Sequence, residues 1–271
     1  MIAPVLLGAA LALPIPSTAT GETAGQDRFP KAAASYLVAI DGRVVWAREP
    51  DTPRLPASLT KIMTALALLE GDWKPDAPVV VSRRAAAATG SRAGLRAGET
   101  LRAGDLLTAM LVASANDACL ALTEHEPGGE RAFIANMNSR AEAMRLPSTH
   151  FDDPCGHDAP GQRSSARDLL ILTETALANP EFARIVALES AELTTTRGRR
   201  ITVNSGNHLL GSLQGVAGVK SGYTRGAGKC LVVLAERDGI RILVVLLDAA
   251  DRWWTAAALT EEAFDAARAS R

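Results

Sequence analysis

Apolar and polar positions follow two rhythms along this chain, and the change from one to the other marks its elements. Ser35–Ile40 and Arg43–Arg48 are strand-like runs separated by Asp41-Gly42, which predicts a β-hairpin near the start. A helical period follows from Ser58 to about Gly71, with Pro53 and Pro56 before it and Gly71 and Pro75 after it. From Val79 to Thr100 the pattern is short-stranded and loop-like, punctuated by Gly90, Gly94 and Gly98. The helical period returns over Asp105–Val112, breaks at Ala113–Asn116 and resumes from Asp117 to Glu126. A helix is expected from about Glu130 to Met144, then a long loop through Asp152–His157, then a helix over Ser165–Leu177. The last third turns strand-like at Ile201–Val203, Val219–Gly222, Lys229–Glu236 and Ile240–Leu247, with Asp238-Gly239 as a second hairpin turn. These last apolar runs are nearly continuous, so they predict strands buried on both faces and covered by helices on each side. A helix from Arg252 to about Arg268 closes the chain.

Composition narrows the class. With 271 residues, 47% of them apolar, and a net charge of −1, the chain can bury a substantial core. The charge balance excludes a nucleic-acid binder, since the one dense basic run, Arg197–Arg200, reads as a solvated turn. Cys119, Cys155 and Cys230 offer no paired framework and no C-x-x-C, and Cys119 and Cys230 read as small buried hydrophobes. Residues 1–25 read as a signal peptide and linker: an apolar run to about Ala19 ends in small residues, although no Lys or Arg precedes it. The remaining residues, 26–271, are expected to form the working domain, exported from the cytoplasm.

Candidate chemistry starts at Ser58 and Lys61. Three residues apart on a helix, their hydroxyl and amine share one face and can meet. Serine is a weak nucleophile until a base takes its proton, and lysine becomes such a base when burial lowers its pKa. Ile62, Met63, Ala65 and Leu66 supply an apolar surround. The serine is also placed to cap the helix and present its oxygen at the positive end. Ser114-x-Asn116 adds a hydroxyl and an amide between two apolar helices, and Lys220-Ser221-Gly222 adds a cation and a hydroxyl on a strand.

In this order and these settings, the three motifs resemble those of the penicillin-binding protein and serine β-lactamase superfamily. The likeness is greatest to the low-molecular-mass D-alanyl-D-alanine carboxypeptidases. It extends through Pro56–Ala65, Leu107–Ala118, Phe151–Gly156, Asn207–Leu210, Gly218–Thr224 and Ala227-Gly228. The resemblance implies an α/β fold of the α+β type, an antiparallel sheet of about five strands flanked by helices with a mainly helical lobe. It implies that Ser58 attacks the carbonyl between two D-alanines of a peptidoglycan stem peptide, with Lys61 as base and Ser114 as proton relay helped by Lys220. Asn116 would bind the substrate backbone, and Ser221, Gly222 and Thr224 its terminal carboxylate region. The N–H groups of Ser58 and Tyr223 would hold the oxyanion, and Arg252, or else Arg225, would face the carboxylate. No metal or organic cofactor is required, β-lactams are expected inhibitors, and no integral membrane segment is expected after signal removal.

Two local departures stand out. Ser221 occupies a position where threonine is commoner, and Asn204–Asn207 is one residue longer than the usual approach to the following leucines. Rival readings are a class A-like β-lactamase, a non-catalytic peptidoglycan-binding module, and a metallopeptidase using His150, Asp152, Asp153, His157 and Asp158. The first lacks an E-x-x-L-N stretch and has Ala115 where aspartate is usual. The second is disfavoured by intact polar groups in all three motifs. The third rests on a loop whose residues are also common turn formers.

Overall fold

The computed structural model describes residues 26–271, so the expected leader at 1–25 lies outside the described residues. Strands β1 (Ser35–Ile40) and β2 (Arg43–Arg48) form the expected hairpin. A 3₁₀ turn (Ala57–Thr60) runs into α1 (Lys61–Leu69). The segment expected to be short-stranded and loop-like holds β3 (Pro78–Val80), α2 (Arg83–Ala86) and β4 (Thr100–Arg102), with β3 and β4 paired as a small ribbon. The helical lobe follows as α3 (Ala103–Val112), α4 (Asn116–His125), α5 (Gly129–Ala143), α6 (Ala166–Leu177) and α7 (Pro180–Val186). A second ribbon, β5 (Ser190–Thr194) with β6 (Arg200–Asn204), leads to β7 (Val216–Thr224), β8 (Gly228–Arg237), β9 (Ile240–Leu247) and α8 (Arg252–Ala269).

The main sheet has five strands in the order β2-β1-β9-β8-β7, every neighbouring pair antiparallel. Its first two strands and last three are far apart in sequence, so the sheet joins the two ends of the chain and leaves β7 as an edge. Period-two alternation sorts the central side chains. Leu37, Val232, Leu243 and Val245 pack toward the helical lobe, whereas Tyr36, Val38, Leu231, Val233, Val244 and Leu246 pack toward α8, which contributes Leu259, Ala263 and Phe264. Both faces are therefore buried, as the continuous apolar runs predicted.

Three readings need correction. Cys119 and Cys155 form a disulfide, their Cα atoms 5.9 Å apart across 36 positions of sequence, and Cys230 alone is a free buried thiol. A spacing of that length carries no local signal; only the packing of α4 against the 151–157 loop brings the sulfurs together. Ser58 is not a helix cap either. It sits inside the 3₁₀ turn after Pro56, and the α1 cap position, Thr60, makes no side-chain capping bond. Finally α7 and β5 were not anticipated. Asn179 caps α7 by accepting from the N–H groups of Glu181 and Phe182, and β5 exists through its pairing with β6. The turn at Arg197–Arg200 is present, but Arg199 and Arg200 are engaged with Glu99 and Glu192.

Candidate active site

A cleft of about 580 Å³ opens between edge strand β7 and the helical lobe. Its walls include Ser58 from the 3₁₀ turn, Ser114 and Asn116 from the α3–α4 junction, Ser221–Thr224 from β7, and Arg252 from the start of α8. Lys61 and Lys220 sit just behind that wall, 0% and 2% exposed. The motif residues singled out in the sequence thus converge on one place.

The turn that carries Ser58 is clamped from both sides by glycines. A Cβ on Gly222 would lie 2.9 Å from the Ser58 nitrogen and 3.0 Å from the Ala57 Cβ; one on Gly156 would fall 2.1 Å from the Ala57 carbonyl oxygen. Only glycine lets strand and loop approach this closely. The clamp holds Ala57 at φ 49°, and across the cleft Ser114 stands at φ 58°. A left-handed backbone at non-glycine residues costs about 1–3 kcal/mol each and persists only where surroundings impose it. Neither residue type advertises that conformation, which is why the sequence did not show it.

Lys61 Nζ lies 3.2 Å from Ser58 Oγ and 2.7 Å from Asn116 Oδ1, and it also donates to the Cys155 carbonyl. Complete burial lowers its pKa to about 7, with the Asp153 carboxylate pulling the other way. Lys220 Nζ donates to the Ser221 carbonyl at 2.8 Å; burial, then the charges of Lys61 and Arg252, push its pKa well below the usual lysine range. The Ser114 hydroxyl makes no hydrogen bond among the described residues and faces the cleft. Ser221 Oγ donates to the Gly206 carbonyl at 3.0 Å.

Two outer residues fare differently. Thr224 lines the cleft, but its hydroxyl donates to Asp158 Oδ1 at 2.5 Å and accepts from the Ala227 N–H, so it braces the β7–β8 turn. Arg252 rather than Arg225 is on the wall. Its Nη1 donates to the Gly222 carbonyl, its guanidinium lies 4.5 Å from the Trp253 ring, and Trp253 stacks on His208 at 4.6 Å. Its Nε is buried without a partner among the described residues.

The sequence missed the floor of the site, which is the loop first weighed as a metal cluster. Asp153 Oδ1 accepts from the N–H groups of Cys155, Gly156 and His157, and Gln162 ties the same loop to Thr60 Oγ1 at 2.8 Å. The Cys155 carbonyl beneath Lys61 is thereby fixed, and the disulfide joins it to α4, the helix that carries Asn116. The carboxylates here act as acceptors for backbone donors; no group of three or more metal-type ligands occurs among the described residues.

An edge strand flanking a serine and buried lysines, on a five-stranded sheet against a helical lobe, is the architecture of the serine DD-peptidases and penicillin-binding proteins. The crystal structure of the Streptomyces K15 DD-transpeptidase superposes with a TM-score of 0.81 at 29% identity, covering 90% of this chain and 99% of that one. A penicillin-binding protein homologue from Mycobacterium tuberculosis also superposes at 0.81, with 30% identity over 91% and 95% of the two chains. Residues 22–251 match the D-alanyl-D-alanine carboxypeptidase family, and the chain belongs to that family. Among its relatives, the carboxypeptidase DacB2 of M. tuberculosis is 33% identical over 83% of this chain and 78% of its own, and DacD of Escherichia coli is 37% identical over 82% and 60%. A D-alanyl-D-alanine endopeptidase of E. coli is 28% identical over 87% and 76%.

Proposed function

We propose that residues 26–271 act as a serine D-Ala-D-Ala carboxypeptidase on peptidoglycan stem peptides, outside the cytoplasm, with Ser58 as nucleophile. The observation that carries this is the hydrogen-bond inventory of Lys61. A free amine has two N–H donors and one lone pair. Asn116 Oδ1 and the Cys155 carbonyl take the two donors, which leaves the lone pair for the Ser58 hydroxyl, the third neighbour. With a pKa of about 7, roughly half the lysines are free amine at neutral pH.

In the proposed reaction the substrate lies along edge strand β7, where an extended peptide can pair with the backbone. Lys61 removes the Ser58 proton as Oγ bonds to the carbonyl carbon between the two D-alanines. The oxyanion rests on the N–H groups of Ser58 and Tyr223, each contributing about 3 kcal/mol of transition-state stabilisation. The carbon–nitrogen bond then breaks, and the leaving amine takes the proton that Lys61 removed from Ser58, passed through Ser114, whose unengaged hydroxyl faces the cleft, with Lys220 buried behind this wall. Asn116 aligns the acyl side. Ser221, Gly222 and the Arg252 guanidinium receive the terminal carboxylate, while Thr224 supports this wall through Asp158 rather than touching substrate. Water finally releases the acyl group from Ser58. A β-lactam would acylate the same serine and leave slowly.

The test is incubation with a pentapeptide ending in D-Ala-D-Ala. Stoichiometric release of one D-alanine, abolished in Ser58→Ala, is expected; unchanged release by that variant refutes the assignment. No described helix is long and apolar enough to cross a membrane.

A further inference from the structure

Two side chains flank Ser221 in the cleft, and a third touches both. Arg252 reaches β7 through the Gly222 carbonyl, and His208 lies on the loop whose Gly206 carbonyl accepts from Ser221 Oγ at 3.0 Å. Both line the cleft. Trp253 packs, partly buried, against the α8 side of the sheet, with the Arg252 guanidinium 4.5 Å from its ring. The His208 imidazole lies nearly parallel to that same indole, with 16° between planes and 4.6 Å between centroids. Held this way, the imidazole is a flat panel with a firm backing rather than a free side chain.

The loop that carries His208 is pinned to both halves of the molecule. The Gly206 N–H donates to the Val112 carbonyl of α3 at 3.0 Å, and Asn207 Nδ2 donates to the Gly218 carbonyl of β7 at 3.1 Å. Asn207 Oδ1 accepts from the Leu209 N–H, and Leu209 is buried in the core on the α8 side. The approach to Ser221 is also close: a Cβ on Gly206 would lie 3.2 Å from Ser221 Oγ. This rim cannot retreat from a ligand seated at Ser221 without breaking bonds to the helical lobe and to the sheet.

In the reaction above, the leaving residue lies between Ser58, which takes the acyl group, and the pair Ser221 and Arg252, which take its carboxylate. His208 borders that same end of the cleft. We propose, resting on the carboxypeptidase reading, that His208 backed by Trp253 is the specificity-determining rim for the leaving residue: it admits a small terminal D-amino acid and turns away one with a longer or branched side chain. Selection is by shape. A methyl group on the leaving residue fits inside the rim, whereas a leucine side chain at the same carbon must push the imidazole off the indole.

Release kinetics on two acyl-peptides, one ending in D-Ala-D-Ala and the other in D-Ala-D-Leu, test this. In wild type kcat/KM should be about a hundredfold higher for D-alanine than for D-leucine. His208→Ala opens the rim, so that ratio should shrink about tenfold through faster D-leucine release. His208→Phe keeps a flat ring against Trp253 and should keep the wild-type ratio, while Trp253→Leu removes the backing and should lower it. His208 is exposed, so neither change there disturbs the core. Acylation by a fluorescent penicillin, whose ring opens without releasing a residue, checks that the site is assembled in each variant. Equal release of both residues by wild type, or one ratio shared by wild type and His208→Ala, overturns the proposal. A His208→Phe ratio as low as that of His208→Ala overturns the part given to the stacked ring. Release of neither residue by wild type refutes the carboxypeptidase reading, and the rim's role falls with it.

Discussion

Replacing Lys61 by methionine removes a buried ionisable group at little change in volume or helix propensity, and its effect on stability must depend on pH in a calculable way. The lysine pKa falls from 10.5 to about 7 on folding, so between those values the folded chain binds fewer protons than the unfolded one. The resulting penalty is fully present below pH 7 and fades as pH rises toward 10.5. From the two pKa values it amounts to about 5 kcal/mol at pH 6 and about 2 kcal/mol at pH 9. The variant escapes this penalty but leaves Asn116 Oδ1 and the Cys155 carbonyl without their lysine donor, a loss that does not vary with pH. Whatever that loss is, the stability of Lys61→Met relative to wild type should decline by about 3 kcal/mol between pH 6 and pH 9. Urea unfolding at a series of pH values measures it. Lys220 feels the Lys61 charge, so repeating the pair in a Lys220→Met background removes the cross-effect. A difference that stays constant within about 0.5 kcal/mol across that range refutes the claim that Lys61 is a free amine near neutrality.

Further outcomes follow from other parts of the site. Converting Cys119 and Cys155 together to serine should destabilise the fold by about 4 kcal/mol, the chain-entropy value for a loop closed across 36 positions, read as a fall in the urea midpoint; no fall contradicts the staple. Gly222→Ala should abolish acylation by a fluorescent penicillin, because its Cβ meets the Ser58 and Ala57 backbone region rather than a yielding side chain tip. Arg252→Leu should raise KM for a substrate with a free terminal carboxylate by about tenfold, while a C-terminal amide substrate is affected far less; equal effects on both would deny the guanidinium its carboxylate role.

Ser58, Lys61, Ser114, Asn116 and Lys220 meet at one cleft, the first two marked by residue type and spacing and the other three by the order of their motifs and the resemblance it carries. A three-residue interval on a helix places side chains on one face whatever the rest of the chain does. The sheet was legible for a similar reason: the hairpin at Asp41-Gly42 and the doubly buried runs of β8 and β9 are local signals. What escaped is set by contacts between distant segments. The disulfide, the Cys155 carbonyl under Lys61 and the Asp153–His157 pair all belong to a loop whose residues read as turn formers or metal ligands in isolation. Thr224, expected from the family resemblance beside Ser221, does line the cleft, but nothing in its own segment announces that Asp158, 66 positions earlier, accepts from its hydroxyl. The strained backbone at Ala57 and Ser114 is imposed by Gly156, Gly222 and the packing of α3 against α4, not by the residues that bear it.

The central claim is that a covalent acyl group forms on Ser58, and the direct measurement is peptide mapping of the protein quenched after brief exposure to a penicillin. The account predicts one adduct per chain, confined to the peptide containing Ser58 and forming faster as pH rises through about 7. An adduct on any other residue, or a rate that does not change across that pH range, would contradict it.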